Sequence, residues 1–383
     1  MTALLLAGQV VRNAAVYAFV DTDPVAASRA WPSHPDAMIA LGMSAIGAAA
    51  HRGQSVRPDV LEQIYAAAAR APLAAQPYLV RGVQAQLAGD GSAAERAFQA
   101  AEWRDPRSLP ARFFLADNYL RKGNVQRGLT EFAALARLAP NGVVSVSPYL
   151  ASYARDPSRW PQIRTLFRTD PELQDPTLQL LAGDAGNSSA ILALADRAHR
   201  NAQSPWLPTL LTALVSQGQF AKARAIWEEV SGARTGPADL LFDAGFADGG
   251  PPAPFNWSLT SSTVGLAERQ RGGRLHVIYY GQEDGVLASQ LLILPPGHYR
   301  LSMNIVGGGR QAAPLRWSLA CASAQAPLAS AGLDKLAAQP LIFEVPAGCG
   351  AQRLELSGSS SDIAHQVEVT IHDLALVKAG ANG

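Results

Sequence analysis

The sequence predicts a chain of two parts, an array of α-helical hairpins followed by an antiparallel β-sandwich. In the first half, large apolar residues and prolines recur every 34 residues. In the last third, apolar residues instead occupy every second position. The longer period is typical of stacked helical hairpins and the shorter one of half-buried strands. Because the period changes at residues 235–237, we predict a helical domain over residues 23–235 and a sandwich over residues 238–383.

The length and charge of the chain indicate how many domains it forms and which partners are unlikely. The chain has 383 residues, with 32 basic and 31 acidic side chains. A chain of this size is expected to form two or three domains, and its balanced charge argues against nucleic acid as a partner. The sequence shows no Cys/His cluster and no motif of nucleotide-binding or hydrolytic chemistry. We therefore expect no cofactor and no catalytic activity.

The first 22 residues are apolar and have two possible roles. Residues 3–20 form a stretch about long enough to cross a bilayer. They include Gln9, Arg12 and Asn13, and an Arg at mid-span costs roughly 3 kcal/mol on insertion scales. We therefore favour a first amphipathic helix. The alternative is the remnant of a membrane anchor, which would allow membrane association through this end.

The 34-residue repeat is marked by recurring residue types. The prolines that close successive repeats are Pro72, Pro106 and Pro140. Eight positions before each proline stands a large apolar residue, namely Ile64, Phe98 and Phe132. Small and aromatic positions between them are filled by residues that include Gly82, Ala94 and Tyr119. Small residues let paired helices approach closely, large ones fill the gap between hairpins, and proline ends a helix because it cannot continue the hydrogen-bond ladder.

This pattern resembles the tetratricopeptide repeat. The resemblance is strong over residues 39–140 and weaker up to residue 235, and it implies about six hairpins. It also implies a groove that binds a peptide or a partner domain. The inward positions of that groove would be Leu79, Val83, Gln86, Phe113, Asp117 and Arg121. These residues do not reproduce the Lys and Asn clamp with which some members bind a terminal carboxylate.

The sequence of the last third predicts roughly nine short strands. Alternation of apolar residues is clearest in segments that begin at Tyr299, Leu315, Leu341 and Val367. Several strands with no helical pattern between them are typical of a sandwich or barrel. The alternation places Trp317 in the core. Tyr279 and Tyr280, as neighbours on a strand, should lie on opposite faces.

Three segments of this part resemble the jelly-roll carbohydrate-binding modules of galactose-binding-like fold: residues 241–257, 290–302 and 371–376. The resemblance implies that Trp257 is a core residue and that residues 241–246 form the opening strand. Such modules often hold a structural Ca²⁺ between the first and last strands. Asp243 and Asp373 would be the matching carboxylates, but Ala247 replaces a second one, so both are weak candidates and we expect no metal.

The two cysteines, Cys321 and Cys349, both lie in the predicted sandwich. We predict a disulfide between them, and the alternative is a pair of buried thiols, since free Cys packs like a small hydrophobe. A disulfide would favour an oxidising compartment, here the periplasmic face of a bacterial envelope, with the cytoplasm as the alternative. A bacterial source is suggested by the preference for Arg over the chain's four Lys and by the abundance of Ala.

These observations favour a non-catalytic scaffold protein of the bacterial cell envelope, whose helical array binds a protein partner. The second hypothesis is a polysaccharide-handling accessory protein that binds glycan through the sandwich. The third is an enzyme whose site the sequence does not reveal. Fold alone does not decide among them, since function depends on the site that a fold carries.

Overall fold

The computed structural model describes residues 2–379, apart from residues 235, 237, 238, 248, 308, 325 and 362–364. In this part of the chain an N-terminal helical array extends to residue 231. Ten antiparallel strands in two sheets follow from residue 258 to residue 378. The predicted fold class, helices followed by an antiparallel sandwich, is therefore confirmed.

The helices of the array follow one another along the chain. They are α1 (Thr2–Phe19), α2 (Pro24–Ala30), α3 (Pro35–His51), α4 (Pro58–Ala68), α5 (Gln76–Leu87), α6 (Gly91–Arg104), α7 (Leu109–Arg121), α8 (Val125–Leu138), α9 (Gly142–Ala154), α10 (Trp160–Thr169), α11 (Gln174–Ala182), α12 (Ser188–Leu194), α13 (Trp206–Ser216) and α14 (Phe220–Ser231). Several begin at a proline, whose fixed φ suits the first turn. Asp23, Asp90 and Ser108 cap helices by accepting a bond from a backbone N–H three residues on.

Contacts among the described residues define two compact units. The first comprises Met1–Val146 and Gln162–Asp170, and the second comprises Ser147–Pro161 and Pro171–Gly383. The second unit thus contains the last helices of the array together with the sandwich. The domain boundaries proposed from the sequence stay predictions.

In the first unit, a small residue on α5 leaves space for a large aromatic residue on α6. Phe98 on α6 is fully buried, and a Cβ atom added to Gly82 on α5 would lie only 2.4 Å from its ring. Phe98 also stacks on Phe114 of α7, with ring centroids 5.0 Å apart. Pro72, Pro106 and Pro140 each follow the end of a helix, namely α4, α6 and α8. Gly82, expected as a small position, and Phe98, expected as a large apolar one, therefore pack against each other.

Helix α1 packs on the array through its C-terminal half. Val16 is fully buried in a cluster with Ala27 of α2 and Ala37 of α3. Leu6 and Val10, nearer the start, are about two-thirds exposed. Among the described residues, no helix is both long enough and apolar enough to cross a membrane.

The sandwich consists of two five-stranded sheets. Its strands are β1 (Ser258–Leu259), β2 (Gly265–Gln270), β3 (Arg274–Tyr279), β4 (Gly285–Leu292), β5 (Gly297–Val306), β6 (Leu315–Cys321), β7 (Pro327–Gly332), β8 (Leu341–Val345), β9 (Gln352–Gly358) and β10 (Val367–Lys378), with a short helix α15 (Leu333–Leu336) after β7. One sheet has the order β1-β4-β9-β6-β7 and the other β2-β3-β10-β5-β8. Trp257, Trp317 and Tyr279 are buried between them, while Tyr280 is 38% exposed, as the alternation and the family resemblance predicted.

The predicted opening strand at residues 241–246 is wrong, because the first strand of the structure begins at Ser258. Residues 241–246 instead form turns, and Asp243 and Phe246 have φ angles of 48° and 51°. A positive φ is incompatible with an extended strand. The segment is held by Trp257, whose Nε1 donates to the Asp243 carbonyl at 3.0 Å and whose ring packs on Phe246.

Candidate functional site

The six residues predicted to line the helical groove lie on two neighbouring elements of the first unit. Helix α5 carries Leu79, Val83 and Gln86, and helix α7 carries Phe113, Asp117 and Arg121. Spacings of three and four residues put each trio on one face of its helix. The trios meet where Nε2 of Gln86 donates to Oδ2 of Asp117 at 3.1 Å. The structure therefore brings these residues together in one surface, which we call the α5–α7 face.

One end of the α5–α7 face is polar. Nε of Arg121 donates to Oδ2 of Asp117 at 2.9 Å, the same oxygen that accepts from Gln86. The Arg121 side chain is 71% exposed, so this pair contributes little to stability. Its effect is to orient the guanidinium, whose Nη groups are left to donate to another molecule. Oε1 of Gln86 is buried and has no hydrogen-bond partner among the described residues.

The other end of the α5–α7 face is apolar. Leu79 and Val83 are half-buried and pack against the Phe98 cluster. Phe113 is 36% exposed, and its ring meets Phe114 edge to face at 5.9 Å. Because Phe114 stacks on Phe98, the ring of Phe113 rests on a rigid base. An accessible aromatic ring on a fixed support can receive an apolar side chain at little entropic cost.

The weak calcium candidates are engaged in other contacts. Asp243 accepts Nε of Arg269 at 3.3 Å and the amide of Ala247 at 2.7 Å. Asp373 on β10 accepts Nδ2 of Asn304 at 2.8 Å, and this bond lowers the pKa of the Asp373 carboxyl. Across the residues that the structure describes, no group of three or more Asp, Glu, His or Cys side chains is arranged to hold a metal.

The sandwich carries one histidine between two carboxylates. Nε2 of His276 lies 2.9 Å from Glu368 and Nδ1 lies 3.2 Å from Glu268, on three adjacent strands. Both ring nitrogens can donate only when the imidazole is protonated. The bond to Glu368, together with that to Glu268, raises the pKa of His276.

This arrangement predicts a pH-dependent contribution to stability. Since the folded pKa of His276 is raised, its contribution is full below the unfolded pKa and is lost as the pH rises through the folded pKa. We expect the free energy of unfolding of wild type to exceed that of His276→Gln by more at about pH 5.5 than at about pH 8.5. Urea unfolding at both pH values measures this. A difference that does not change with pH would contradict the assignment.

The two cysteines are joined in the structure, with Sγ atoms 2.09 Å and Cα atoms 5.5 Å apart. Strand register explains how they meet. Cys321, the last residue of β6, pairs with Gln352 at the start of β9, so the loop that contains Cys349 runs beside the end of β6. The sequence alone could not fix this register.

The disulfide predicts both the number of free thiols and the loss of stability on reduction. Protein purified without reductant from its native compartment should show no free thiol after denaturation. Reduction should lower stability by roughly 3 kcal/mol, because the bond closes a loop between residues 28 positions apart. Thiol counting before and after reduction measures the first point, and urea unfolding measures the second. Two free thiols in the native protein would remove the chief support for an envelope location.

Sequence reasoning missed a cleft of about 640 Å³ in the second unit. Its walls come from α13, the start of α14 and the outer face of the β1-β4-β9 part of the sandwich. Most of its polar residues are serines scattered over more than a hundred positions, and no local motif marks such a set. Comparison with known proteins adds no identification: no family model matches the chain, and no curated protein matches it.

Proposed function

We propose that the protein is a non-catalytic interaction protein whose helices form tetratricopeptide-like repeats and hold an extended segment of a partner protein on the α5–α7 face. The supporting observation is the pairing of a supported, accessible ring with a pre-oriented cation on the same surface. Phe113 and Arg121 are two turns apart on α7, and neither is buried in the hairpin core.

Each end of the α5–α7 face suits a different part of a peptide. An apolar side chain would pack on Phe113 and the exposed edges of Leu79 and Val83. The Nη groups of Arg121 would donate to a carbonyl or a carboxylate.

The proposed location is the periplasmic face of a bacterial envelope. The disulfide supports it, because the cytosol keeps thiols reduced. The exposed apolar residues Leu6, Val10 and Val11 of α1 support an association of that helix with a membrane surface. The proposal of peptide binding does not depend on this location.

Selection from a random peptide display library tests the proposed function. Wild-type protein should enrich peptides that share an apolar residue near an acidic one. Phe113→Asp should weaken the selected peptides at least about tenfold, because the charge replaces the apolar contact. Arg121→Glu should weaken them similarly by reversing the charge.

The matched control is Trp103→Asp, which changes an aromatic ring on α6 that is 72% exposed. It should leave the affinity of the selected peptides unchanged. If no peptide family is enriched, or if the peptides bind Phe113→Asp as well as wild type, the α5–α7 face is not the binding surface.

A further inference from the structure

The cleft of the second unit is formed by two parts of the fold. Helix α13 contributes Thr212, and the first residue of α14, Phe220, contributes an aromatic ring. The facing wall is the outer side of a sheet. There Ser258 of β1 pairs with Ser289 of β4, and Arg353 of β9 pairs with Leu291. The neighbours of Arg353 along β9, Gln352 and Leu354, are buried, so the alternation of the strand turns Arg353 outward.

The polar groups of this cleft are rich in hydroxyls and carry little net charge. Ser258, Ser289 and Ser323 line it, and their hydroxyls make no hydrogen bond within the part of the chain that the structure describes. Each can both donate and accept. Nε of Arg353 donates to Glu355 at 2.8 Å, which neutralises the guanidinium and leaves its Nη groups as donors.

The cleft also has apolar lining residues, which restrict the kind of ligand that fits. Phe220 is half-buried, and the apolar residues Val215, Pro254 and Leu291 also line the cleft. A volume of about 640 Å³ is within the range of small-molecule sites and is too small for a folded partner. The fitting ligand is therefore small, has many hydroxyl donors and acceptors, is uncharged, and has an apolar face that can pack against a ring.

From this geometry we propose that the cleft between α13–α14 and the β1-β4-β9 face binds a neutral saccharide of one or two sugar units. The C–H face of a pyranose packs against Phe220. Its hydroxyl edge bonds to Ser289, Ser258 and Ser323, and the Nη groups of Arg353 donate to a ring or glycosidic oxygen. This site is separate from the α5–α7 face, so either one can fail without the other.

Calorimetric titration of the full chain with neutral disaccharides tests the proposal. The probes are cellobiose, maltose, xylobiose and N,N′-diacetylchitobiose, each at millimolar concentration, with inorganic phosphate as a further probe. At least one disaccharide should bind, and Ser289→Phe should abolish that binding by filling the cleft. Arg353→Gln should weaken it about tenfold, as the loss of hydrogen bonds from a charged donor does.

The control is Ser302→Phe, the same change on β5 of the other sheet, which should bind the disaccharide as wild type does. Thermal unfolding of each variant establishes that it is folded, and Arg353→Gln replaces a half-buried surface residue, so it provides a test if Ser289→Phe unfolds. The proposal is overturned if none of the disaccharides binds, if only phosphate binds, or if binding survives both Ser289→Phe and Arg353→Gln in folded protein.

Discussion

Trp227→Ala should destabilise the second unit by about 3–5 kcal/mol, as truncation of a buried aromatic residue does. Trp227 on α14 is fully buried, and its Nε1 donates to the carbonyl of Pro252 at 2.7 Å. Its ring meets Phe242 edge to face at 5.0 Å and Phe255 at 5.7 Å. One side chain thus connects α14, the last helix of the array, to the segment that leads into the sandwich.

Urea unfolding with hydrogen exchange on α14 and on residues 239–257 measures this effect. Protection should fall in both places together, because both lose the same contact. Trp227→Phe should recover most of the packing and still lose the bond to Pro252, which is worth about 1 kcal/mol. Trp103→Ala, at an exposed position, serves as control and should change stability by less than about 0.5 kcal/mol. A loss confined to α14 would show that the helix and the segment are not coupled.

Phe98→Ala should cost the first unit a similar amount, about 3–5 kcal/mol. Phe98 fills the space left by Gly82 and supports Phe114, so its removal leaves a cavity between two hairpins. Phe132→Ala, at the equivalent position one repeat later, should act in the same direction, since Phe132 is only 3% exposed. Thermal or urea unfolding of the variants measures both.

A double-mutant cycle makes the test specific to the close approach of α5 and α6. Gly82→Ala should destabilise wild type because the new Cβ would overlap the Phe98 ring. The same change should cost far less, or even stabilise, in a Phe98→Ala background, where the space is free. Leu87→Ala, at an 83% exposed position of α5, is the control. Additive effects of Gly82→Ala and Phe98→Ala would contradict the contact between them.

The periodicity of apolar residues predicted those strands and repeat positions that depend on local sequence. Alternation located β5, β6, β8 and β10, because a strand with one buried face must alternate apolar and polar side chains. The 34-residue spacing marked Gly82 as a small position and Phe98 as a large apolar one, and the structure shows that these two residues contact each other. The six residues of the α5–α7 face were expected from the resemblance to tetratricopeptide repeats, and the binding of a partner there stays a prediction.

Other features depend on tertiary structure and had no local signal. The register of β6 and β9, which brings Cys321 beside the loop of Cys349, comes from the order of strands in the sheet. The resemblance to jelly-roll carbohydrate-binding modules implied a strand at residues 241–246, but these residues form turns from which Phe246 packs on Trp257. The packing of Trp227 on Phe242 and Phe255 joins residues on either side of the change in period, which the sequence presents as a boundary.

Site-specific photocrosslinking, in cells of the organism that makes the protein, tests most directly whether the α5–α7 face binds a partner protein. A photoreactive phenylalanine analogue at position 113 lies on the α5–α7 face, and the same analogue at position 103 is the control. We expect a discrete crosslinked protein at position 113 that is absent at position 103 and is lost when Arg121→Glu is added. Equal crosslinking at both positions, or none at position 113, would contradict it.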